Sequence, residues 1–361
     1  MRRFIHIFAA LALAACTNDL EFKMASQPEE LLLSGQLKTT AQTHTIFAAV
    51  GNSNTLRHAP DLRVLCYLNG EPVWAEKWVP DPMLGYNSIE DRYTFSASLK
   101  PGDTVRITAS SLDGEYTAIA ESVVPARPSV ASVDTVTVSK PATWDPKVIK
   151  HYLKIDLTLD DPAGKNWYML QVRAKYHIVL HAEGHPDKEV DEERIPAIDS
   201  GEDPVLSEGV VISNEELFGT VTTNTYHIFS DAIFDGGKGE TSFKLDYSEL
   251  SSMMNVPVSN AEWDEDGNML YKYDGARVDC TLDVDVYALP QDEYNYLKAL
   301  GIRSSGFFFE DFMEPTAIPD NVEGATGFIG VMCGDTRSFK LPERIIEFEY
   351  TSTDKEFPDP S

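Results

Sequence analysis

The sequence predicts an all-β protein, with an N-terminal immunoglobulin-like β-sandwich followed by a second, mostly-β domain. Three observations support this prediction. Apolar and polar residues alternate with a period of two over many short segments, which is the pattern of half-buried strands. Turn signals such as Asn69-Gly70 and Asp113-Gly114 separate these segments at short spacing. Helical patterns are confined to two short stretches in the second half of the chain.

The chain begins with the features of an export signal, which we assign to residues 1–15. Arg2 and Arg3 precede the apolar run Phe4 to Ala15, which is shorter than the ~20 residues that cross a bilayer as a helix. Leu13, Ala14, Ala15 and Cys16 together resemble a bacterial lipobox. That resemblance implies cleavage before Cys16 and acylation of its thiol and amino group.

A doubly acylated Cys16 would hold the protein firmly on a membrane, since stable anchoring takes at least two lipid signals. Residues 16–29 are polar and without apolar periodicity, and we interpret them as a tether. The expected location is therefore the surface of a membrane of the cell envelope. A soluble secreted protein is the alternative interpretation.

Two domains joined by a linker are predicted after the tether. Residues 30–125 contain hairpins and short alternating segments typical of an immunoglobulin-like sandwich. Residues 126–146 are rich in proline and form a predicted linker, with one strand over 132–138. Residues 147–361 form the mostly-β C-terminal domain.

Within the C-terminal domain, residues 151–161 and 166–183 are predicted to be long strands joined by a turn at Asp161 to Lys165. Residues 278–286 alternate cleanly, with apolar and aspartate side chains on opposite faces. A capping box at Ser213 and Glu216 predicts a helix that includes Leu217-Phe218, and Pro290 begins a second helix that ends near Gly301. Residues 183–208 are acidic and are predicted to be a long loop.

The charge of the chain excludes one class of partner. The formal net charge is −28, and it becomes −30 once residues 1–15 are removed. Such a chain repels phosphate backbones, so we expect no nucleic-acid partner. Solubility at a crowded surface explains the charge, and weak cation binding is the alternative explanation.

Three cysteines remain in the mature chain besides Cys16, and we predict that Cys66, Cys280 and Cys333 are buried free thiols.

Two groups of residues are candidates for chemistry. His177, His181 and His185 are spaced so that zinc could use them, but Arg173 and Lys175 share their strand face. A solvated polar face is the simpler interpretation, so we predict no metal there and no cofactor. Asp231 and Asp235 border a glycine-rich hairpin and could bind a ligand or partner, or act as an acid and base pair. No segment brings together a nucleophile, a base and an orienting group, so no catalytic residue is predicted.

Several segments, taken in order, resemble one known family: LKPGDTVRITASSLDGEYTAIAESVVP, NWYMLQV, FSDAIFDGGKG, VYALPQDEYNYLKAL, FFFEDFMEP and NVEGATGFIGVMCG. The array resembles the Bacteroidetes lipoprotein family known as domain of unknown function 4249. That resemblance implies an exported lipoprotein with an N-terminal sandwich, often encoded near TonB-dependent outer-membrane receptors. We therefore expect the protein on the outer membrane, on either its periplasmic or its cell-surface face. The resemblance implies no reaction and no catalytic residues.

The leading hypothesis is a lipid-anchored accessory or ligand-binding module that assists TonB-dependent nutrient uptake. The alternatives are a metal-assisted hydrolase and a structural or adhesive surface protein of fimbrial-assembly type. Each makes a different structural prediction. A binding module should have a shallow groove lined by aromatic side chains. An enzyme should have a deep pocket of convergent titratable groups. A protein that assembles with other chains should have an exposed edge strand.

Overall fold

The structure of the protein is a computed structural model. It describes residues 28–52, 55–78, 90–142, 145–200, 203–207, 211–214, 219–222, 224–254, 261–264, 267–304 and 318–348. Residues 211–214, 219–222, 251–254 and 302–304 are described by their backbone alone.

The described residues up to Pro141 form the following strands: β1 (Glu30–Lys38), β2 (Thr43–Gly51), β3 (Leu56–His58), β4 (Leu62–Leu68), β5 (Glu71–Trp74), β6 (Glu76–Trp78), β7 (Asp91–Ser96), β8 (Thr104–Ser111), β9 (Thr117–Val123) and β10 (Ser129–Pro141).

The described residues that follow form these strands and helices: β11 (Ile149–Asp160), β12 (Trp167–His181), β13 (Lys188–Arg194), β14 (Val211–Asn214), β15 (Gly219–Thr222), β16 (Ile228–Ser230), β17 (Lys238–Asp246), α1 (Tyr247–Met254), β18 (Ala261–Trp263), β19 (Met269–Lys272), β20 (Gly275–Leu289), α2 (Gln291–Ser304), β21 (Val322–Glu323), β22 (Thr326–Lys340) and β23 (Arg344–Glu347). The predicted all-β class is confirmed.

The N-terminal strands form an immunoglobulin-like sandwich. One layer has the strand order β1-β2-β7-β6 and the other the order β5-β4-β8-β9, which correspond to the two sheets of that fold. The predicted hairpin between β4 and β5 is confirmed: Asn69 and Gly70 have φ values of 52° and 88°, as a type I′ turn requires.

The first layer continues far beyond the sandwich. Strand β22 lies parallel to β1, and the sheet order runs β13-β12-β20-β22-β1-β2-β7-β6. One sheet therefore connects the N-terminal sandwich with the C-terminal strands. The predicted linker, residues 126–146, contains β10, which pairs with β11. The predicted division into domains stays a prediction.

The apolar side chains gather in two large clusters. The first lies inside the sandwich and also receives Val322, Ile329, Val331 and Cys333 from the far end of the chain. The second lies between the sheet β10-β11-β17 and the part of the long sheet formed by β12 and β20. The predicted turn after residue 160 thus joins strands of two facing sheets. The thiols of Cys66, Cys280 and Cys333 are buried and free, as predicted.

Two predictions of local structure are wrong. Residues 183–208 are not a continuous loop, because Lys188–Arg194 form β13 along the edge of the long sheet. The side chains of β13 are mostly charged, so the sequence shows no alternation of apolar and polar residues there. Charged side chains nevertheless suit an edge strand that faces water. Ser213 begins no helix, because it lies in β14, which pairs with β15. Glu216 and the pair Leu217-Phe218 lie outside the described residues.

The second predicted helix is confirmed. It is α2, which follows Pro290 and continues three residues past Gly301. Tyr294 and Leu297 of its apolar stripe are buried in a third, smaller cluster with Met169, Tyr287 and Met332. Helix α1 was not predicted. Its eight residues, YSELSSMM, span little more than two turns, too few to distinguish a helical period from a strand in the sequence.

Candidate functional site

The lipobox lies outside the described residues, so lipidation of Cys16 stays a prediction together with the roles of Leu13, Ala14 and Ala15. Neither of the helices that the structure describes has the length and apolar composition needed to cross a bilayer.

The three candidate histidines lie apart, each with its own partner. His177 Nδ1 lies 2.8 Å from a carboxylate oxygen of Asp191, and His181 Nδ1 lies at the same distance from Asp187. The Asp187 carboxylate raises the pKa of His181. His185 stacks on the ring of Tyr271, with centroids 3.8 Å apart. The geometry therefore gives each histidine a surface pairing, and the absence of zinc there stays a prediction.

The face that His177 shares with Arg173 and Lys175 carries paired charges. Arg173 donates from Nε and Nη2 to the two oxygens of Asp285, at 2.6 and 3.1 Å. Lys175 Nζ lies 2.6 Å from Asp283, which is almost fully buried. Burial opposes ionisation of Asp283, but its hydrogen bonds to Lys175 and Ser338 hold its pKa below the usual value. Long cationic side chains thus cover aspartates that the alternating pattern places on the outer face.

A cavity of about 690 Å³ lies on this charged face, over β12, β13, β20 and β22. Five carboxylates line it, from Asp191, Glu192, Glu193, Asp279 and Asp283. The cavity therefore suits cations or water better than it suits an anion.

The structure brings Asp231 and Asp235 together with Asp161. One carboxylate oxygen of each lies within 4.8 Å of the others, and among the described residues this is the one such group of three or more metal-ligating side chains. The turn after β11 supplies Asp161, and the segment between β16 and β17 supplies the other two. Grouped carboxylates are ligands that Ca²⁺ accepts.

Hydrogen bonds from the surrounding turns hold this aspartate cluster. Asp161 accepts from the Tyr168 hydroxyl and from the backbone N–H of Gly236. Asp231 accepts from the backbone and side-chain N–H groups of Asn166, at 2.7 and 3.0 Å. These bonds tie the two turns together, so the cluster also has a structural explanation.

The charges in the cluster perturb one another. Burial raises the pKa of Asp231, the Asn166 N–H groups oppose the shift, and the carboxylates of Asp161 and Asp235 add to it. A carboxyl whose folded pKa is raised contributes most to stability below its unfolded pKa, and that contribution falls as pH rises through the folded pKa. A bound cation would remove this repulsion.

A shallow groove lies elsewhere, between helix α2 and the outer face of β1 and β2, with a volume of about 520 Å³. Four aromatic side chains line it: Phe47, Tyr226, Tyr296 and Phe328. Ser34 of β1 is in register with Phe47 on one side and with Phe328 on the other. Tyr296 stacks on Phe328, with centroids 4.4 Å apart. We call this cavity the aromatic groove.

Helix α2 carries a buried acid beside the groove, with its carboxyl against Gly330 of β22. Glu293 is 1% exposed, and neither of its carboxylate oxygens makes a hydrogen bond to a residue that the structure describes. Its Oε1 would lie 2.1 Å from a Cβ at Gly330, so a side chain at Gly330 would displace the Glu293 carboxyl. Burial raises the pKa of Glu293 to about 8, although the Val331 N–H and the Lys38 ammonium oppose the shift.

Sequence reasoning missed the groove and Asp161. The groove combines β1, β2, β22 and α2, which are close only because β22 returns to pair with β1. Asp161 was assigned to a turn, and a turn aspartate carries no sign of its distant partners. The Phe47 and Ser34 positions do carry a weak signal, since each is out of phase with the buried side chains of its strand.

The model of one protein family matches the chain over residues 18–338. The chain belongs to the DUF4249 family. The description of this family is Domain of unknown function, so membership confirms the resemblance and assigns no activity.

Other comparisons add no function. No curated protein matches the chain. Among solved structures, the chain is similar to a DUF4785 family protein of Legionella pneumophila, at 9% identity and a TM-score of 0.19, over 70% of this chain and 51% of the other. The chain thus spans about half the length of that protein. It is also similar to the B domain of a biofilm-associated protein, at 7% identity and a TM-score of 0.16, over 85% of each chain.

Proposed function

We propose that this DUF4249 protein is a lipid-anchored envelope lipoprotein of the outer membrane, which binds a ligand and assists nutrient uptake by contact with a TonB-dependent receptor. The observation that carries the binding role is the aromatic groove, which has the shallow shape and the lining expected of a recognition site. The anchor rests on Cys16 and its lipobox.

The membrane anchor and the receptor support each other physically. A lipid anchor confines the protein to a membrane plane, where its effective concentration toward a co-anchored partner is high. The choice of a TonB-dependent receptor rests on the neighbourhood that the family resemblance implies. Near the aspartate cluster, Ile233 is 61% exposed beside a glycine-rich turn, and it is a suitable contact for such a partner.

Affinity purification from solubilised membranes tests this function. Tagged protein in mild detergent should recover a large β-barrel receptor in near-equal amount, and Ile233→Asp should reduce that recovery. Ile345→Asp is the matched control, because Ile345 is also exposed and lies on β23. Recovery of the protein alone, with nutrient uptake unchanged after gene deletion, would reject the proposal.

One observation favours a second candidate, a structural or adhesive protein that assembles by strand addition. Strand β10 is an edge of its sheet, pairs with β11, and leaves Val136 about half exposed. An edge of this length can accept a strand from another chain. Under this candidate, concentrated protein should form oligomers by size-exclusion chromatography and Val136→Lys should keep it monomeric. Monomers at every concentration would favour the uptake role.

A further inference from the structure

Two cavities adjoin at the end of strand β1. The aromatic groove shares Gln36, Lys38 and Tyr226 with a smaller and more enclosed cavity of about 180 Å³. The smaller cavity lies against β12 and the segment that precedes β16, where Gln171 and His227 line it. Gln36 and Lys38 therefore lie between the two cavities, and a ligand in the groove can contact both side chains.

The lining of these two cavities contrasts with the rest of the molecule. The chain has 58 acidic residues against 30 lysines and arginines, yet no acidic residue lines either cavity among the residues that the structure describes. The cavity on the charged sheet face has five. The charged side chain that the groove and the smaller cavity share is Lys38. An anion therefore meets less repulsion here than on the charged face.

Lys38 has hydrogen-bonding capacity to spare. Its ammonium has three donors, and the structure shows one hydrogen bond, to Gln171 Oε1 at 2.9 Å. The ammonium also lies 4.9 Å from the centroid of the Tyr287 ring. Burial lowers the pKa of Lys38, while the Asp285 and Glu293 carboxyls act in the opposite direction. Arg173 binds both oxygens of Asp285, so that carboxylate is already paired with another cation.

His227 adds another polar side chain to the lining of the smaller cavity. Its Nδ1 is buried and makes no hydrogen bond to any described residue. Its backbone has a φ of 50°, a conformation that few residues other than glycine adopt. A buried polar atom without a partner costs about 1–3 kcal/mol, and His227 gives the smaller cavity a polar wall where Lys38 also lies.

The groove has room for a flat apolar body. Phe47 and Phe328 are the register partners of Ser34 on its two sides, so a small side chain lies between these two aromatic residues. Leu297 and Leu300 of α2 add apolar surface at one wall. Aromatic walls favour rings that stack or pack edge to face against them.

We propose that the aromatic groove and its adjoining cavity bind a small organic carboxylate with a flat, apolar body. The carboxylate accepts hydrogen bonds from the Lys38 ammonium near Gln171 and His227, and the apolar body lies between Phe47 and the stacked pair Phe328 and Tyr296. This inference rests on the proposed binding function and assigns it a class of ligand.

A pair of probes that differ in charge tests the inference. Full-length protein in lipid nanodiscs is dialysed to equilibrium against 2-naphthoate or against 2-naphthalenemethanol, which has the same ring system without the charge. Empty nanodiscs serve as the blank. We expect 2-naphthoate to bind at least tenfold more tightly, because a hydrogen bond to a charged group contributes more than one to a neutral group.

Two variants locate the carboxylate. Gln36→Glu adds a negative charge at an exposed position that lines both cavities, and it should weaken 2-naphthoate binding at least fivefold while the affinity for the alcohol changes less than twofold. Lys38→Met should abolish the preference for the acid. Gln291→Glu makes the same change of charge at an exposed position outside the groove and should leave both affinities unchanged.

The outcomes separate this inference from the proposed function. Equal affinity for the two probes, no saturable binding of either, or an unaltered preference in Gln36→Glu would overturn the carboxylate site. Co-purification of a receptor in the same preparation would then leave the uptake role standing without this ligand. A tenfold preference for 2-naphthoate that Gln36→Glu removes would establish the site, even if no receptor is recovered.

Discussion

At the scale of single residues, the protonation of Glu293 is coupled to the fold. Its carboxyl is buried under α2, and its pKa is raised from 4.5 to about 8. The folded state therefore keeps a proton that the unfolded state releases above pH 4.5. This contribution to stability is complete below pH 4.5 and is lost as pH rises toward 8, by roughly 3 kcal/mol between pH 4.5 and 7.

Glu293→Gln should flatten this dependence, because glutamine resembles the protonated acid in size and carries no charge. We expect variant and wild type to have similar free energies of unfolding near pH 4.5, and the variant to be more stable at pH 8. Urea unfolding across this pH range measures the difference. Glu323→Gln, at an exposed position, is the control and should follow wild type throughout. Parallel profiles for Glu293→Gln and wild type would show that the carboxyl ionises without cost.

The proposed membrane anchor depends on Cys16. Cys16→Ser removes the thiol that the lipobox presents for acylation, so the variant should leave the membrane fraction or remain uncleaved. Membrane fractionation and mass spectrometry of the N-terminal peptide measure both effects. A variant that is cleaved normally and still sediments with membranes would contradict the anchor.

Sequence reasoning reached single residues where the chemistry is local. Asp231 and Asp235 were found because they lie four positions apart in one segment, and Asp161 was missed because the contact joins two distant turns. The alternation around Asp283 and Asp285 was predicted, but their burial was not, because the cations that cover them lie on a neighbouring strand. Glu293 and Lys38 carry no sign in the sequence of the space around them.

At the scale of elements, the parallel pairing of β1 with β22 depends on a glycine. Gly327 has a φ of 138°, and a Cβ there would lie 2.0 Å from the carbonyl oxygen of Leu33 in β1. Gly327→Ala should therefore lower the free energy of unfolding by about 3 kcal/mol, through backbone strain together with loss of this close approach.

Gly70→Ala is the matched control for Gly327→Ala. Gly70 also has a positive φ, but a Cβ added there would meet no atom within 4 Å, so strain alone should cost about 1 kcal/mol. Urea unfolding of both variants gives the comparison. Equal losses would show that β1 and β22 tolerate separation, and would weaken the view that this pairing supports the groove.

Elements were predicted well where the pattern reports on one buried face. Strand β20 and the hairpin of β4 and β5 follow period two and a type I′ turn sequence, and both are confirmed. Strand β13 was mistaken for a loop because nearly all its side chains are charged and its pairing with β12 supplies the stability. The capping box at Ser213 matched a local rule, but pairing of β14 with β15 overrides it.

At the scale of the whole molecule, a long sheet makes the two ends of the chain depend on each other. The sandwich cluster contains Val322, Ile329, Val331 and Cys333, which lie some two hundred residues after the last sandwich strand. Burial of one apolar side chain of this kind contributes roughly 1.5–3 kcal/mol. Four of them together are comparable with the ~5–15 kcal/mol that separates folded from unfolded states in a typical protein.

A fragment of residues 28–125 should therefore fail to fold on its own, although it contains both layers of an immunoglobulin-like sandwich. The return of β22 to the edge of β1 covers backbone groups and apolar side chains that this fragment would expose. We expect no cooperative urea transition for the fragment alone, and recovery of near-native circular dichroism when residues 126–348 are added in equal amount. If the fragment alone unfolds cooperatively with a midpoint near that of residues 28–348, the sandwich is independent of the C-terminal strands. The aromatic groove, which needs β1 and β22 side by side, would then have to be explained as an interface between two separately stable units.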